Sequence, residues 1–341
     1  KKIPESSLRT GTPSPKNLPP APLRPGLALT IYFKYNDLKS LKGSGFLLKG
    51  IPPTVFLLKG QTARMTDTAR RPAARPFLKW AGGKSRLLPQ YAPLFPREIG
   101  DYHEPFLGSG AVFFSLCPRI EGRAYLSDRI DDLVRTFEAV RADAEGVIRH
   151  LGRHTYQREH YYRVRAQNPA RLSPAGRAAR FIFLNRTGFN GLYRVNKSGR
   201  FNVPFGRYTN PKICDVDGLR LASAALARAQ IGRRGFQDIP EWTEAGDFVY
   251  LDPPYQPLSK TSNFTAYTAG GFGEDAQRGL AAVCRALDGA GVRFMLSNSD
   301  TPLIRKLYKG FDIKQVLAAR AINSSTAGRG KIPELVVRNY R

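Results

Sequence analysis

The chain has 341 residues, room for one large domain or two. It carries 54 Lys and Arg against 27 Asp and Glu, a net charge of +27, with 42% hydrophobic and 11% aromatic residues. That balance excludes a fibrous or wholly disordered chain and points to a polyanionic partner, nucleic acid being the usual one. No run approaches the roughly 18–20 apolar residues of a membrane helix, so no membrane span is expected. Cys117, Cys214 and Cys284 are widely spaced and form no CxxC pair. Neither a disulfide framework nor a bound metal is expected, and a reducing intracellular setting is the default.

The first 75 residues hold 14 basic and 3 acidic side chains. Lys1–Arg64 has nine prolines, no useful periodicity, and the string FLLKG twice, at Phe46–Gly50 and Phe56–Gly60. Such an isolated repeat is too short for a solenoid. An early apolar stretch with a small-residue cleavage site is missing, so a secretory leader is not expected. Met65 precedes the regular part. We read Met65 as the natural start and 1–64 as upstream sequence; the alternative is a basic, disordered arm binding DNA through charge.

Beyond Arg75 the elements alternate. A helix opens at Ala111–Leu116 after a Gly-rich turn, and Arg123–Ser127 is a short strand ending in acid. Asp131–Arg141 puts Leu133, Val134, Phe137 and Val140 on one helical side. Ala175–Leu184 is a second helix. Asn190–Tyr208 alternates apolar residues with Asn, Lys, Ser and Gly, which predicts a β-hairpin. Leu219–Gln230 reads as helix, Phe248–Leu251 and Arg293–Ser297 as buried strands, and Gln277–Asp288 as the helix between them. The C-terminal ELVVRNY is strand-like, behind a basic loop where Arg329 and Lys331 are further DNA candidates. The alternation predicts an α/β fold, a Rossmann-like, mostly parallel sheet.

Two turns in that frame carry chemistry. In HEPFLGSGAVFF, Gly108 and Gly110 lie between a strand and a helix, where ligands bind and a missing Cβ lets them approach the backbone. The dinucleotide fingerprint fails because Phe113 takes the third glycine's place. The plain alternative is an ordinary strand–helix turn. Asp128, 20 residues after Gly108, is placed either to hold a pair of ribose hydroxyls or to cap the next helix. In WAGGKS the phosphate-loop pattern fails at Leu78. Lys84 there is suited to hold a carboxylate, with Trp80 shielding an apolar group.

The second turn is Asp252-Pro253-Pro254-Tyr255, at the end of the strand FVYL. Two prolines fix the backbone and remove two donors. The Asp252 carboxylate and the Pro253 carbonyl are left as rigid acceptors beside the flat face of Tyr255. That set suits a planar amine, whose N–H groups donate to both acceptors while its ring stacks. Its lone pair is then drawn out of conjugation and aimed at an electrophile, with alignment supplying most of the acceleration. A proline-rich turn capping a strand is the plain alternative.

Five ordered strings, PFLKWAGGKSRLLPQ, YHEPFLGSGAVFF, FLNRTGFNGLYRVNKSGRFNVPFGRY, FVYLDPPY and FMLSNSD, resemble the Dam-type, class D12 DNA adenine-N6 methyltransferases in their alpha arrangement. The likeness covers about Pro76–Tyr340 and not 1–64. It implies an S-adenosyl-L-methionine-dependent methyltransferase fold with an inserted helical and hairpin DNA-recognition domain. The resemblance places Trp80, Lys84, Glu104, Phe106, Gly108, Gly110, Asp128 and Asp238 at the donor; Ile239 departs from the aromatic usual after Asp238. Asp252, Pro253, Pro254 and Tyr255 match the catalytic tetrapeptide, whose Asp favours adenine over cytosine N4 or protein glutamine.

The same resemblance assigns duplex DNA as substrate, flips the target adenine out of the stack, and implies a monomer in the cytoplasm of a prokaryote or encoded by a phage. The basic, aromatic string Asn185–Tyr208 becomes the reading element: Arg194 on a guanine, Phe189 wedged into the duplex, Arg186, Asn190 and Arg207 at the backbone. The site implied is GATC. The organisation expected is 1–74 as extension, 75–150 with 231–341 as catalytic domain, and 151–230 as target-recognition insert. Methylation of another exocyclic amine, on cytosine or in RNA, and a catalytically silent DNA-binding module are the alternatives.

Overall fold

A computed structural model describes residues 73–257, 272–319 and 331–341. The N-terminal arm, its repeat, Met65 and Arg329 lie outside the described residues. Seven strands among those described form one sheet: β1 (Tyr102–Glu104), β2 (Ala124–Ser127), β3 (Ala229–Gly232), β4 (Phe248–Leu251), β5 (Arg293–Ser299), β6 (Asp312–Ala319) and β7 (Lys331–Arg338). Their order is β3-β2-β1-β4-β5-β7-β6. The first five are parallel, and β7 runs antiparallel to both neighbours.

The sheet is mostly buried between helical layers, which is why its strands read as apolar runs rather than alternating ones. Every residue of β4 is buried. Phe248 and Tyr250 enter one hydrophobic cluster, and Val249 and Leu251 enter the other. Strands β5 and β7 divide the same way: Met295 and Val336 join the first cluster, Phe294, Leu296, Leu335 and Val337 the second.

The helices are α1 (Leu88–Tyr91), α2 (Ala111–Leu116), α3 (Asp131–Ala142), α4 (Ala144–Leu151), α5 (Arg158–Ala166), α6 (Pro174–Thr187), α7 (Val216–Leu226), α8 (Glu274–Gly289) and α9 (Pro302–Leu307). Local chemistry sets their starts. Asp143 caps α4 by accepting from Gly146 N at 2.7 Å, and Ser173 caps α6 through Gly176 N, with Pro174 at the first turn. The stripe Leu133, Val134, Phe137 and Val140 of α3 is buried, as its spacing predicts. Arg177 of α6 binds both Asp131 and Asp132 in the first turn of α3.

Topology places the site. From β1 the chain moves outward to β2 and β3; from β4 it moves the other way to β5. The carboxyl ends of β1 and β4, paired through Tyr102–Phe248 and His103–Val249, therefore flank a switch point, where open α/β sheets bind ligands.

Two sequence expectations change. Asn190–Tyr208 reverses direction but forms no regular hairpin. Only two isolated bridges join it, Gly188–Phe205 and Val195–Phe201, and Phe189–Gly191 is a 3-10 turn. Asn190 sits at φ +52°, which interrupts extended backbone. The helix expected through Gln230 ends at Leu226, because Ala229 and Gln230 pair with Ala124 and Tyr125 in the sheet. Sheet pairing there outweighs local helix preference. The ELVVR of the strand-like ELVVRNY lies in β7, which is last in sequence but internal in the sheet, since β6 takes the edge.

Candidate active site and nucleic-acid interface

The donor-side turn is held open by glycine geometry. Gly108 and Gly110 adopt φ +49° and +67°, and Gly110 starts α2. A Cβ on Gly108 would lie 2.8 Å from the Trp80 ring, so the indole packs flush on the turn. Asp128 fixes the same turn from β2. One carboxylate oxygen accepts from Gly108 N at 3.1 Å and the other from Ile130 N at 3.0 Å. Loss of water pushes its carboxyl up, and these backbone donors oppose that shift. The first residue capping α3 is Ile130, so Asp128 braces the turn rather than capping the helix itself.

Glu104 ends β1 and is fully buried. Its Oε2 accepts from Tyr102 OH at 2.8 Å and Phe113 N at 3.1 Å. Burial pushes its carboxyl up to about 8, against the pull of those bonds. Phe106 stacks on Phe236 at 5.6 Å between centroids. Asp238 is exposed on the short helical turn Phe236–Trp242 and lines a small pocket with Ser127, Gly232, Arg234 and Trp242. Arg234 lies over Trp242 at 3.9 Å.

The tetrapeptide is clamped from four sides: the Lys84 turn, β5, α8 and β7. Lys84, 5% exposed, places Nζ 2.7 Å from Asp252 Oδ1. Ser297 of β5 donates to the same oxygen at 2.8 Å and itself meets Tyr250 OH at 3.2 Å. Gln277 of α8 donates to the Pro254 carbonyl at 3.0 Å while accepting from Asn298. Gln256 N donates to Asn298 Oδ1, and Ser299 donates to the Gln256 carbonyl. Tyr255 OH donates to Glu334 Oε2 at 2.7 Å. Among the described residues, Asp252 Oδ2 and the Pro253 carbonyl take no hydrogen bond. Those are the acceptors a planar amine needs. Lys84 thus meets the Asp252 carboxylate as well as the Gly82 carbonyl.

The segment Asn185–Tyr208 lies against Lys79 and Trp80. Tyr193 stacks on Trp80 at 6.0 Å, and Lys79 Nζ lies 3.8 Å above the Tyr208 ring. Asn185, fully buried, accepts from Lys79 N and donates to the Lys79 and Gly191 carbonyls. Phe189 is 48% exposed, a large apolar side chain at the surface beside the Gly188–Phe205 bridge. Arg194 is exposed and its fork is held by Asn202: Nε donates to Oδ1 at 2.7 Å and Nη2 to the carbonyl at 3.2 Å. Asn190 and Arg207 are exposed. Arg186 is different: its Nε donates inward to the Phe77 carbonyl at 3.1 Å.

Several site residues had no signal in the sequence. Glu334 and Gln277 come from distant elements and belong to no short motif. Ser297 and Asn298 sit inside the FMLSNSD string, but only the fold shows that Ser297 meets Asp252 and Asn298 meets Gln277 and Gln256. Asn185 and Asn202 act through backbone groups that sequence spacing does not reveal.

Comparison with known proteins agrees with this geometry. Residues 80–322 match the family described as D12 class N6 adenine-specific DNA methyltransferase. The chain is 43% identical over 286 residues to the Type II methyltransferase M.MjaIII of Methanocaldococcus jannaschii, covering 78% of this chain and 99% of that protein. It is 40% identical over 274 residues to the Type II methyltransferase M1.LlaDCHI of Lactococcus lactis subsp. cremoris, with 78% and 95% covered. To the DNA adenine methylase of Haemophilus influenzae it is 36% identical over 268 residues, with 77% and 92% covered. The chain belongs to the D12 class of N6 adenine-specific DNA methyltransferases, enzymes that act on DNA.

Proposed function

We propose that the chain takes its methyl group from S-adenosylmethionine and transfers it to a flipped adenine within GATC. The residues fit the donor. Gly108 and Gly110 hold the turn in left-handed backbone with the Trp80 indole packed against Gly108, aromatic faces stand at Trp80 and Phe106, and carboxyls stand at Asp128 and Asp238. When bound, the donor supplies a methyl group on a positively charged sulfur. Trp80 and Phe106 cover its apolar parts, and Asp128 and Asp238 face its polar ends.

The observation that carries the reading is the pair of acceptors at the switch point, Asp252 Oδ2 and the Pro253 carbonyl, that take no hydrogen bond among the described residues. Lys84 and Ser297 both occupy Asp252 Oδ1 and so orient the carboxylate. Oδ2 then accepts one N6–H and the Pro253 carbonyl the other. Tyr255 gives the base a flat surface. These bonds turn the N6 lone pair away from the ring and toward the methyl group. Once N6 holds four bonds it is a far stronger acid than a carboxylic acid, so the Asp252 carboxylate suffices to take its proton. Asp252, Pro253, Pro254 and Tyr255 are the catalytic set, and alignment is the main source of rate.

On the DNA side, Arg194 reads a guanine through its fork, Phe189 fills the opened duplex, and Asn190 and Arg207 meet the backbone. Arg186 supports the turn through Phe77. The catalytic domain is 75–150 with 231–341, and 151–230 is the recognition insert, whose last two residues begin β3. The enzyme works as a monomer on this reading.

The test is transfer of labelled methyl from S-adenosylmethionine to three short duplexes: one with GATC, one scrambled, one with its GATC adenines already N6-methylated. Label in the first alone is the expected result. Equal label in the scrambled duplex would discard GATC and the role of Arg194. Label in the premethylated duplex would discard adenine N6 as the target of that site.

A further inference from the structure

Glu334 lies on β7, 79 residues beyond Tyr255 in sequence, yet it accepts the Tyr255 hydroxyl at 2.7 Å. The Lys84 ammonium stands 4.8 Å from the Tyr255 ring centroid and 2.7 Å from Asp252, and its charge also bears on Glu334. One buried cation is thus set among two carboxylates. With both ionised, the trio carries one net negative charge beside the accepting nitrogen.

We propose that Glu334 is a positioning residue for methyl transfer, anchoring Tyr255 by its hydroxyl and placing negative charge where the adenine gains positive charge. This rests on the reading of Asp252–Tyr255 as the acceptor site. A hydrogen bond to a carboxylate is shorter and stronger than one to a neutral acceptor. It stops the ring swinging about its first torsion, so the stacking plane is fixed before the base arrives. The second effect is electronic. N6 is neutral when the base enters and cationic once its fourth bond forms, and that charge draws electron density from the purine ring through the C6–N6 bond. A phenol donating to a carboxylate has a more electron-rich face, which attracts a cation more strongly. This attraction grows along the reaction, so it raises the rate constant rather than the affinity for DNA.

Two substitutions separate the effects. E334Q keeps an oxygen acceptor for Tyr255 and removes the charge; E334A removes both. The full chain is used, with a duplex that the wild-type enzyme methylates. Single-turnover transfer reads the rate. A duplex with 2-aminopurine at the target position, measured without donor, reads stacking from its fluorescence lifetimes. We expect E334Q to slow transfer about tenfold at unchanged duplex affinity and unchanged lifetimes, and E334A to slow it about 30–100-fold. In E334A the long-lifetime, unstacked fraction grows.

Tyr255→Phe supplies the decisive control, since it removes the hydroxyl that Glu334 holds. E334A added to that variant should enlarge the long-lifetime fraction no further, and the two rate losses should be well short of multiplicative. Independent, multiplicative losses would overturn the proposal, as would E334A transferring within twofold of wild type. Should E334A fail to fold, E334Q with wild-type melting decides alone: an unchanged rate overturns the proposal. Asp252→Asn run alongside keeps the two readings apart. If it transfers at the wild-type rate, the acceptor site itself is misplaced. If it is inactive while E334A is unaffected, only the role of Glu334 falls.

Discussion

Asp252–Gln256 and Gly188–Tyr208 are both irregular segments on the working face of the protein, and they are built in opposite ways. Asp252–Gln256 is held by side chains from the Lys84 turn, β5, β7 and α8, most of them on its side chains and the Pro254 carbonyl. Gly188–Tyr208 is held from outside at its backbone, by Tyr156, Tyr161 and Arg165, while Phe189 and Arg194 stay exposed and Asn196 and Asn202 bond within the segment. The contrast follows from what each must meet. An amine must be aligned to a fraction of an ångström at the moment of transfer, so its acceptors are fixed in advance. A DNA groove is wide, charged and itself deformable, so the reading surface gains by staying accessible.

The largest effect should come from breaking the fixed half. In Asp252→Asn the side chain has one acceptor oxygen instead of two, and Lys84 loses its counter-charge. Transfer in a single turnover should fall by about 10²–10⁴-fold. Duplex affinity should hold, because the reading segment is untouched. A parallel loss of duplex binding would mean that the two halves are not separable. Removing a partner from a buried ion pair is also destabilising by about 3–5 kcal/mol, so the melting temperature should drop as well.

Next in size is a pH effect seated under the fixed half. Burial raises the Glu104 carboxyl from the ordinary 4.5 to about 8. Between those values the folded chain keeps a proton that the unfolded chain has lost. Its stabilising contribution is therefore complete below pH 4.5 and is lost as pH rises through about 8. The full shift corresponds to a few kcal/mol. Glu104→Gln copies the neutral acid and does not titrate. Urea unfolding at pH 5, 7 and 9 should show wild type losing stability relative to this variant as pH rises. Parallel curves for the two proteins would place the ionised form of Glu104 in the fold.

How far each half was legible in sequence reflects the same contrast. The tetrapeptide and the Gly108–Gly110 turn are local motifs, so Asp252, Tyr255 and the glycines stand out before any fold is known. Strand β4 reads correctly because all four of its residues are apolar and buried. Strand β1 is three residues long and includes buried His103 and Glu104, which no hydrophobic pattern marks. Glu334 and Gln277 were invisible for another reason: their role depends on the antiparallel insertion of β7 and on the seat of α8. In the reading segment the basic and aromatic residues were plain. Alternation there predicts the antiparallel reversal, which two bridges make, but it does not register the left-handed Asn190 that interrupts regular strands.

A smaller effect tests whether the open half reads sequence. Arg194→Ala removes an exposed fork held by Asn202. It should leave melting unchanged and cost about 1–3 kcal/mol of discrimination at one base pair. Arg194→Lys should not restore it, since an ammonium cannot make the paired contact. Competition between the methylated duplex and its single-base variants measures this directly.

The smallest effect isolates charge from reading. Arg207 is exposed and has no partner among the described residues, so its substitution disturbs nothing inside the fold. If it contacts one phosphate, Arg207→Ala removes one counterion-release event. The slope of log affinity against log salt should then fall by about 0.9, and equally for every duplex. Titrations between 50 and 300 mM salt, roughly the range where such slopes are linear, resolve a change of that size. A uniform loss keeps Arg207 at the backbone and leaves discrimination to Arg194. A loss confined to one duplex would move Arg207 into the groove, and the open half would then have two readers where the geometry at Asn202 prepares one.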